Sequence, residues 1–390
     1  MLKIYAARVY NGLKIKMKKI FISLSYFSYK KILRGIIFLL DSEFVHEQFT
    51  NFGEFLGNSK IFSTLLKYLF RVENKTLSQK IAGINFDNPI GLAAGFDYQA
   101  QLTQILPSLG FGFQTVGSIT NKPYEGNPKP RLGRLIKTRS LMVYKGFKNE
   151  GIEKVSKKLK KLKFDIPVGI SIGKTNSQTD KMTQKQAVLD IVSAFKIAKR
   201  ANLKNAYYEL NISCPNLFGN VSFYPPNNLQ ELLTEVTKLK PGKPIFIKMP
   251  ISKTDKEVLS MLSVIVKFPI AGVILGNTQN NRKDKSFVKG ELSKFPLGNF
   301  SGKPTFKRSN ELIKLAYKNY GKKLIIIGTG GVFSAEDAYK KIKLGASLVQ
   351  LITGMVFEGP QIAAQINLEL VDFLKKDGFN NISEAVGIKA

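Results

Sequence analysis

The chain has 390 residues, 44% of them hydrophobic, and carries 60 Lys and Arg against 28 Asp and Glu, a net charge of +32. That apolar content supports a sizeable core and excludes an intrinsically disordered chain. One cysteine, Cys214, and one histidine, His46, exclude a disulfide framework and a conventional zinc site, and argue against Ser-His-Asp chemistry.

The positive balance favours an anionic partner: nucleic acid, a membrane surface or an anionic small molecule. The plain alternative is a lysine-rich bias spread over solvated faces. Residues 1–40 hold nine basic residues and no acid, interleaved with Ile, Leu, Phe and Tyr. The longest apolar run there, Gly35 to Leu40, is too short to span a bilayer. Residues 1–33 therefore read as a basic membrane-surface or targeting segment.

Residues 34–72 read as an amphipathic helical hairpin. Val45, Phe49, Phe52 and Leu56 follow helical spacing, as do Phe62, Leu65, Leu66, Leu69 and Phe70, with Gly57-Asn58-Ser59 as the turn. The stripes pack on the main domain, or they meet a membrane or an apolar ligand. A polar linker, Arg71 to Lys80, follows.

Residues 81–378 alternate short apolar runs with helical patterns, before a tail at 379–390. The eight runs are Pro89–Gly95, Phe113–Thr120, Pro167–Lys174, Ala206–Cys214, Pro244–Pro250, Gly272–Asn277, Leu324–Gly331 and Leu348–Gly354. Eight βα units predict a (β/α)8 barrel, whose chemistry sits at the C-terminal strand ends.

Strand four ends in Asn211-Ile212-Ser213-Cys214-Pro215-Asn216, a thiol flanked by two carboxamides. Such a thiol can take a proton from a substrate that the amides hold. The plain alternative is a small buried hydrophobe. Lys248 ends strand five and Asn277-Thr278 follow strand six. A lysine at a barrel mouth faces an anion or an electron-rich ring, because burying it alone is costly. The glycines Gly328 to Gly331 and the pair Thr353-Gly354 suit a phosphate. This set lacks a metal cluster and a carboxylate pair. It fits a phosphorylated redox cofactor, such as flavin mononucleotide (FMN), beside a small planar substrate.

With these residues in place, the chain resembles the dihydroorotate dehydrogenase family. The segments that carry the resemblance include Asn88 to Gly95, Gly126 to Leu132, Asn211 to Asn216, Ser301 to Pro304, Ile327 to Gly331 and Gly345 to Gln350. The hairpin resembles that of the membrane-associated, quinone-using class, in which it forms the quinone tunnel. His46 and Arg134 fall on polar positions of that tunnel. The resemblance implies FMN contacts at Ala94, Gly95, Ser118, Asn211, Lys248, Gly302, Gly331, Thr353 and Gly354, with Ser171 in place of an FMN-contacting asparagine. It implies orotate contacts at Asn211, Asn216, Asn277 and Thr278, and Cys214 as the catalytic base. It also implies dihydroorotate and quinone as partners, with no nucleic acid. The location implied is peripheral, on the cytoplasmic face of the cell membrane or, in a eukaryote, at the mitochondrial inner membrane.

The chain departs from the family at telling positions. The quinone-using class carries serine as base, where this chain has Cys214. Tyr98 stands where the family has a substrate-touching lysine, and Val143 where it has a substrate-binding asparagine. Lys145, in the neighbouring loop Tyr144-Lys145-Gly146-Phe147, is the expected substitute cation, and Gly146, Phe147 and Tyr98 are expected at the substrate with it. A second resemblance, to the tRNA dihydrouridine synthases, rests on the Asn-x-x-Cys-Pro segment and the positive charge. A third reading is a non-catalytic flavoprotein.

Overall fold

The structure is a computed structural model and describes residues 16–179 and 181–390. Eight parallel strands close into one barrel: Ile90–Leu92, Phe113–Ile119, Val168–Ile172, Tyr207–Asn211, Ile245–Met249, Gly272–Leu275, Ile325–Thr329 and Leu348–Leu351. Closure comes from Val349 pairing with Ile90. Each strand lies within one of the expected runs. The runs are rich in β-branched residues and buried on both faces, as a sheet sandwiched between helices and a filled interior requires.

The barrel interior is filled in layers. Its lower layer is aromatic and aliphatic, with Phe113, Tyr207, Phe246, Ile274, Ile327 and Leu348 packed together. Gly91 and Gly169 make room for two of these rings. A Cβ on Gly91 would lie 2.4 Å from the Phe113 ring, and one on Gly169 2.1 Å from Tyr207. Below this layer an antiparallel hairpin, Gln79–Ile81 with Ile84–Phe86, presses Ile81 and Phe86 into the floor. The polar linker expected at Arg71 to Lys80 therefore ends inside this hairpin.

Among the described residues, seven helices of nine or more residues follow the barrel strands, from Ile152–Lys161 to Ile362–Asp377. The crossover between strands one and two is different. It holds only a short 3-10 turn, Leu106–Leu109. The N-terminal hairpin packs there instead. A Cβ on Gly53 would lie 2.5 Å from the Leu102 side chain, and one on Gly57 2.8 Å from the Ile105 nitrogen.

The hairpin consists of Ser42–Asn58 and Lys60–Phe70. Asp41 caps the first helix, its carboxylate accepting from the Glu43 and Phe44 amides at 3.0 and 2.8 Å. No structural break falls between residues 33 and 34. Residues 16–37 run as one helix, with a π-helical turn at Tyr29–Leu33. Ile22 is buried with Phe70, Val72 and Ala364. The helix crosses the expected division at 33/34, with Ile22 and Tyr29 buried against protein and Ile20, Leu24, Phe27 and Ile32 exposed. Residues 1–15 of the basic segment lie outside the described residues.

A third sheet was not foreseen. Leu132–Leu135, Ser140–Val143 and Asn299–Phe300 pair antiparallel above the barrel mouth.

Candidate active site

One cavity of about 920 Å³ runs from the barrel mouth into the N-terminal helices. Its inner end is polar, with Asn211, Cys214, Asn216, Lys248, Asn277 and Thr278 on the wall. Its outer end is apolar, lined by Ile36, Val45, Phe49, Phe52, Leu56 and Leu66.

The polar residues are ordered by hydrogen bonds that all point one way. Asn277 Nδ2 donates to Ser213 Oγ at 2.7 Å, and Ser213 Oγ donates to Asn211 Oδ1 at 3.2 Å. Asn211 Nδ2 donates to Ser118 Oγ at 2.7 Å. Ser118 and Ser171 hydroxyls meet at 2.7 Å, and Ser171 donates to Glu209 Oε1 at 2.7 Å. With the Ser171 proton directed to the carboxylate, Ser118 donates to Ser171. Lys248 Nζ stands 3.7 Å from Glu209 Oε1 and 3.4 Å from the Ala94 carbonyl.

Ser171 corrects an expectation. It is fully buried and does not line the cavity. A serine is too short to reach past Ser118, so its hydroxyl is used on Ser118 and Glu209 instead. Glu209 itself was not singled out from the sequence. The signal was available: an acid within an apolar strand, two residues before Asn211 and hence on the same face.

Cys214 is half-buried at the end of strand four. Burial pushes its thiol up to about 11, against the pull of the Asn216 backbone, Lys248 and Lys174. The group is therefore a thiol at neutral pH and becomes a base as pH rises. Asn216 is held on two sides. Its Oδ1 accepts from Asn299, and its carbonyl accepts from Asn127 Nδ2 at 2.9 Å. Asn299 was also missed. It pairs across from Val143 in the sheet over the mouth, so an amide does stand opposite the position where one is absent.

Lys145 is buried and lines the cavity with Gly146, Phe147 and Tyr98. Its Nζ lies 4.8 Å from the Tyr98 ring centre and 3.8 Å from Glu43 Oε1. Tyr98 donates its hydroxyl to the Gly95 carbonyl at 2.8 Å. Burial draws Lys145 down to about 8. Glu43, on the hairpin, has closer partners in Arg131 at 3.0 Å and Lys148 at 3.3 Å. Burial raises the Glu43 carboxyl, but Lys145, Arg131 and Lys148 outweigh it and hold it below the ordinary value. Lys145 is thus the loosest of its three cations and the one facing the cavity.

His46 and Arg134 line the outer part. His46 Nε2 donates to the Phe96 carbonyl at 2.8 Å, which leaves Nδ1 an acceptor without a partner among the described residues. Burial, reinforced by Lys145, takes its pKa to about 3, so the ring is neutral at physiological pH.

The residues present fit a flavin nucleotide. Gly302, Gly330 and Gly331 all have positive φ beside Thr353 and Gly354. A Cβ on Gly331 would lie 2.5 Å from Phe306 Cβ, and one on Gly354 2.0 Å from the Val332 carbonyl. Packing on the protein itself thus requires glycine at 331 and 354, and the cavity wall at Gly302, Gly330, Gly331 and Gly354 is main chain without side chains, which lets a phosphate approach backbone N–H groups.

A family model described as Dihydroorotate dehydrogenase matches residues 76–374. The chain belongs to the dihydroorotate dehydrogenase family. The family is flavin-dependent. Among curated relatives, the dihydroorotate dehydrogenase (quinone) of Trichodesmium erythraeum is 35% identical over 379 residues, covering 92% of this chain and 98% of that one. The protein of the same description from Christiangramia forsetii is 36% identical, covering 88% and 99%. Among solved structures, DHODH from Eimeria tenella in complex with ferulenol aligns with a TM-score of 0.73 at 27% identity, covering 85% of this chain and 95% of that one. The match to quinone-linked relatives extends through the hairpin, which the resemblance to dihydrouridine synthases leaves without a purpose.

Proposed function

We propose that the protein is a quinone-linked dihydroorotate dehydrogenase, oxidising (S)-dihydroorotate to orotate in pyrimidine biosynthesis, with FMN as its flavin. The observation that carries this reading is one continuous cavity with two unlike ends. A thiol, amides and ammonium groups meet a charged planar substrate at one end. Phenylalanines and aliphatic side chains meet a lipophilic oxidant at the other.

FMN, when bound, supplies the acceptor for the C6 hydride and the route for electrons to quinone. Cys214, as thiolate, takes the C5 proton of dihydroorotate. Asn211, Asn216, Asn277 and Thr278 hold the pyrimidine ring. Lys145 pairs with the substrate carboxylate in place of the lysine that Tyr98 displaces. Lys248 places positive charge where negative charge develops on reduction. Ala94, Gly95 and Ser118 would hold the flavin ring, and Gly302, Gly331, Thr353 and Gly354 would hold the phosphate.

We further infer that the N-terminal helices rest on a membrane surface and admit quinone from it. Leu39 is 87% exposed and Ile61 79%, and Leu24, Phe27, Phe52 and Phe55 are also exposed. An apolar surface of this extent needs a partner. No described helix is long and apolar enough to cross a membrane.

The test is anaerobic mixing of the purified yellow protein with L-dihydroorotate. Bleaching of the flavin, reversed by a soluble quinone, is expected. A flavin that stays oxidised would overturn the reading and leave a flavoprotein with another substrate.

A further inference from the structure

Glu209 has no part in the mechanism above, yet it lies at the centre of the site's polar network. It is fully buried inside the barrel, in register with Ser171 on strand three. Two residues further along the strand stands Asn211, in register with Lys248 on strand five. Its Oε1 is the terminus of the donor chain that starts at Asn277 and passes through Ser213, Asn211, Ser118 and Ser171. Its Oε2 has no hydrogen-bond partner among the described residues.

Two consequences follow from the charge. A chain of donors aligned on one carboxylate is polarised as a unit, so each link holds the next in orientation. Asn211 therefore turns its amide N–H groups toward Ser118. The second consequence concerns Lys248. At 3.7 Å the carboxylate is too distant for a hydrogen bond to the ammonium, but both groups are buried, so the attraction between them is screened less than at the surface. Lys248 does not present a free positive charge. A carboxylate behind it offsets that charge.

We propose that Glu209 sets the reduction potential of the bound flavin, its carboxylate offsetting the charge of Lys248 and making the flavin a weaker electron acceptor. The inference rests on the reading that Lys248 faces the flavin ring. Two-electron reduction adds negative charge to that ring, and Lys248 stabilises it. Glu209 opposes that stabilisation in the reduced form and costs nothing comparable in the oxidised form. It is a positioning residue, acting on the flavin through Lys248 rather than by contact.

The experiment is an anaerobic, dye-equilibrated titration of the flavin in the Glu209→Gln holoenzyme. The glutamine keeps the shape and an acceptor for Ser171 but removes the charge. The two-electron equilibrium should shift at least about tenfold toward reduced flavin, a midpoint raised by about 30 mV. A midpoint that is unchanged or lower overturns the proposal. Ser171→Ala cuts the link to Ser118 and leaves the carboxylate charge, so its midpoint should stay near the wild type. If it moves as far as that of E209Q, packing and not charge sets the potential, and the proposal fails. Should E209Q lose its flavin, Glu209→Asp withdraws the carboxylate from Lys248. A smaller rise is then expected, and none overturns the proposal. Bleaching of the wild-type flavin by dihydroorotate tests the underlying reading separately.

Discussion

The two ends of the cavity are built by different means. At the barrel end, polar side chains come from strand ends whose backbones are fixed by parallel pairing; Asn211, Asn216 and Lys248 are buried, and Asn211 and Asn277 are joined by hydrogen bonds through Ser213. At the hairpin end, the walls are apolar side chains on helices, and several remain open to solvent. The first arrangement discriminates, since a missing partner for any buried polar group is costly. The second admits any lipophilic molecule of suitable width, because burying apolar surface is non-directional. One enzyme thus treats one reactant strictly and the other permissively.

The sharpest way to separate the ends is Cys214→Ala. Reduction of the flavin by dihydroorotate should slow by about 10²–10⁴-fold, the usual worth of a positioned base. Reoxidation by quinone should keep its rate in the same stopped-flow experiment. If both steps slow together, the ends are not independent.

Lys145→Ala probes the strict end by affinity. Loss of a charge-assisted contact worth about 1.5–3 kcal/mol should raise KM for dihydroorotate roughly 10- to 150-fold, with KM for quinone unchanged. An unchanged dihydroorotate KM would remove Lys145 from the substrate site.

The pH profile should divide the same way. Cys214 works as thiolate, and burial holds it up to about 11, so the proton-abstraction rate should climb about tenfold per pH unit through the neutral range. Lys145 works as ammonium, and burial brings it down to about 8, so its hold on a carboxylate weakens as pH rises through that value. Above pH 8, kcat and KM for dihydroorotate should rise together. Quinone KM should stay flat, since His46 is already neutral there.

The smallest effect is expected at the permissive end. Phe52 lines the cavity and is 59% exposed, so Phe52→Asp removes apolar contact without emptying the core. A several-fold rise in quinone KM should result, corresponding to about 1 kcal/mol of lost burial. Dihydroorotate KM should not move.

The sequence was legible where local pattern and global fold agree. Each barrel strand is a buried apolar run, and the polar residues that end those runs meet in one cavity. It was illegible where contacts are made by very short or distant pieces. Asn299 sits on a two-residue strand that no periodicity marks. Glu43 reads as an ordinary acid in a helix's first turn, and only folding brings Arg131 and Lys148 to it. Ser171 sits at a strand end but one layer too deep, a depth that run boundaries do not encode. The first crossover lacks a full helix because residues far earlier in the chain fill its place.

The floor hairpin has a practical consequence. With Ile81 and Phe86 sealing the lower end, substrate, product and oxidant all pass through the opposite pole. The turn at Ala82-Gly83 points outward, and Gly83 is exposed with open space beside it. A fluorophore or surface tether attached at that turn would sit a full barrel length from all traffic. The molecule could then be immobilised with its working face uniformly outward.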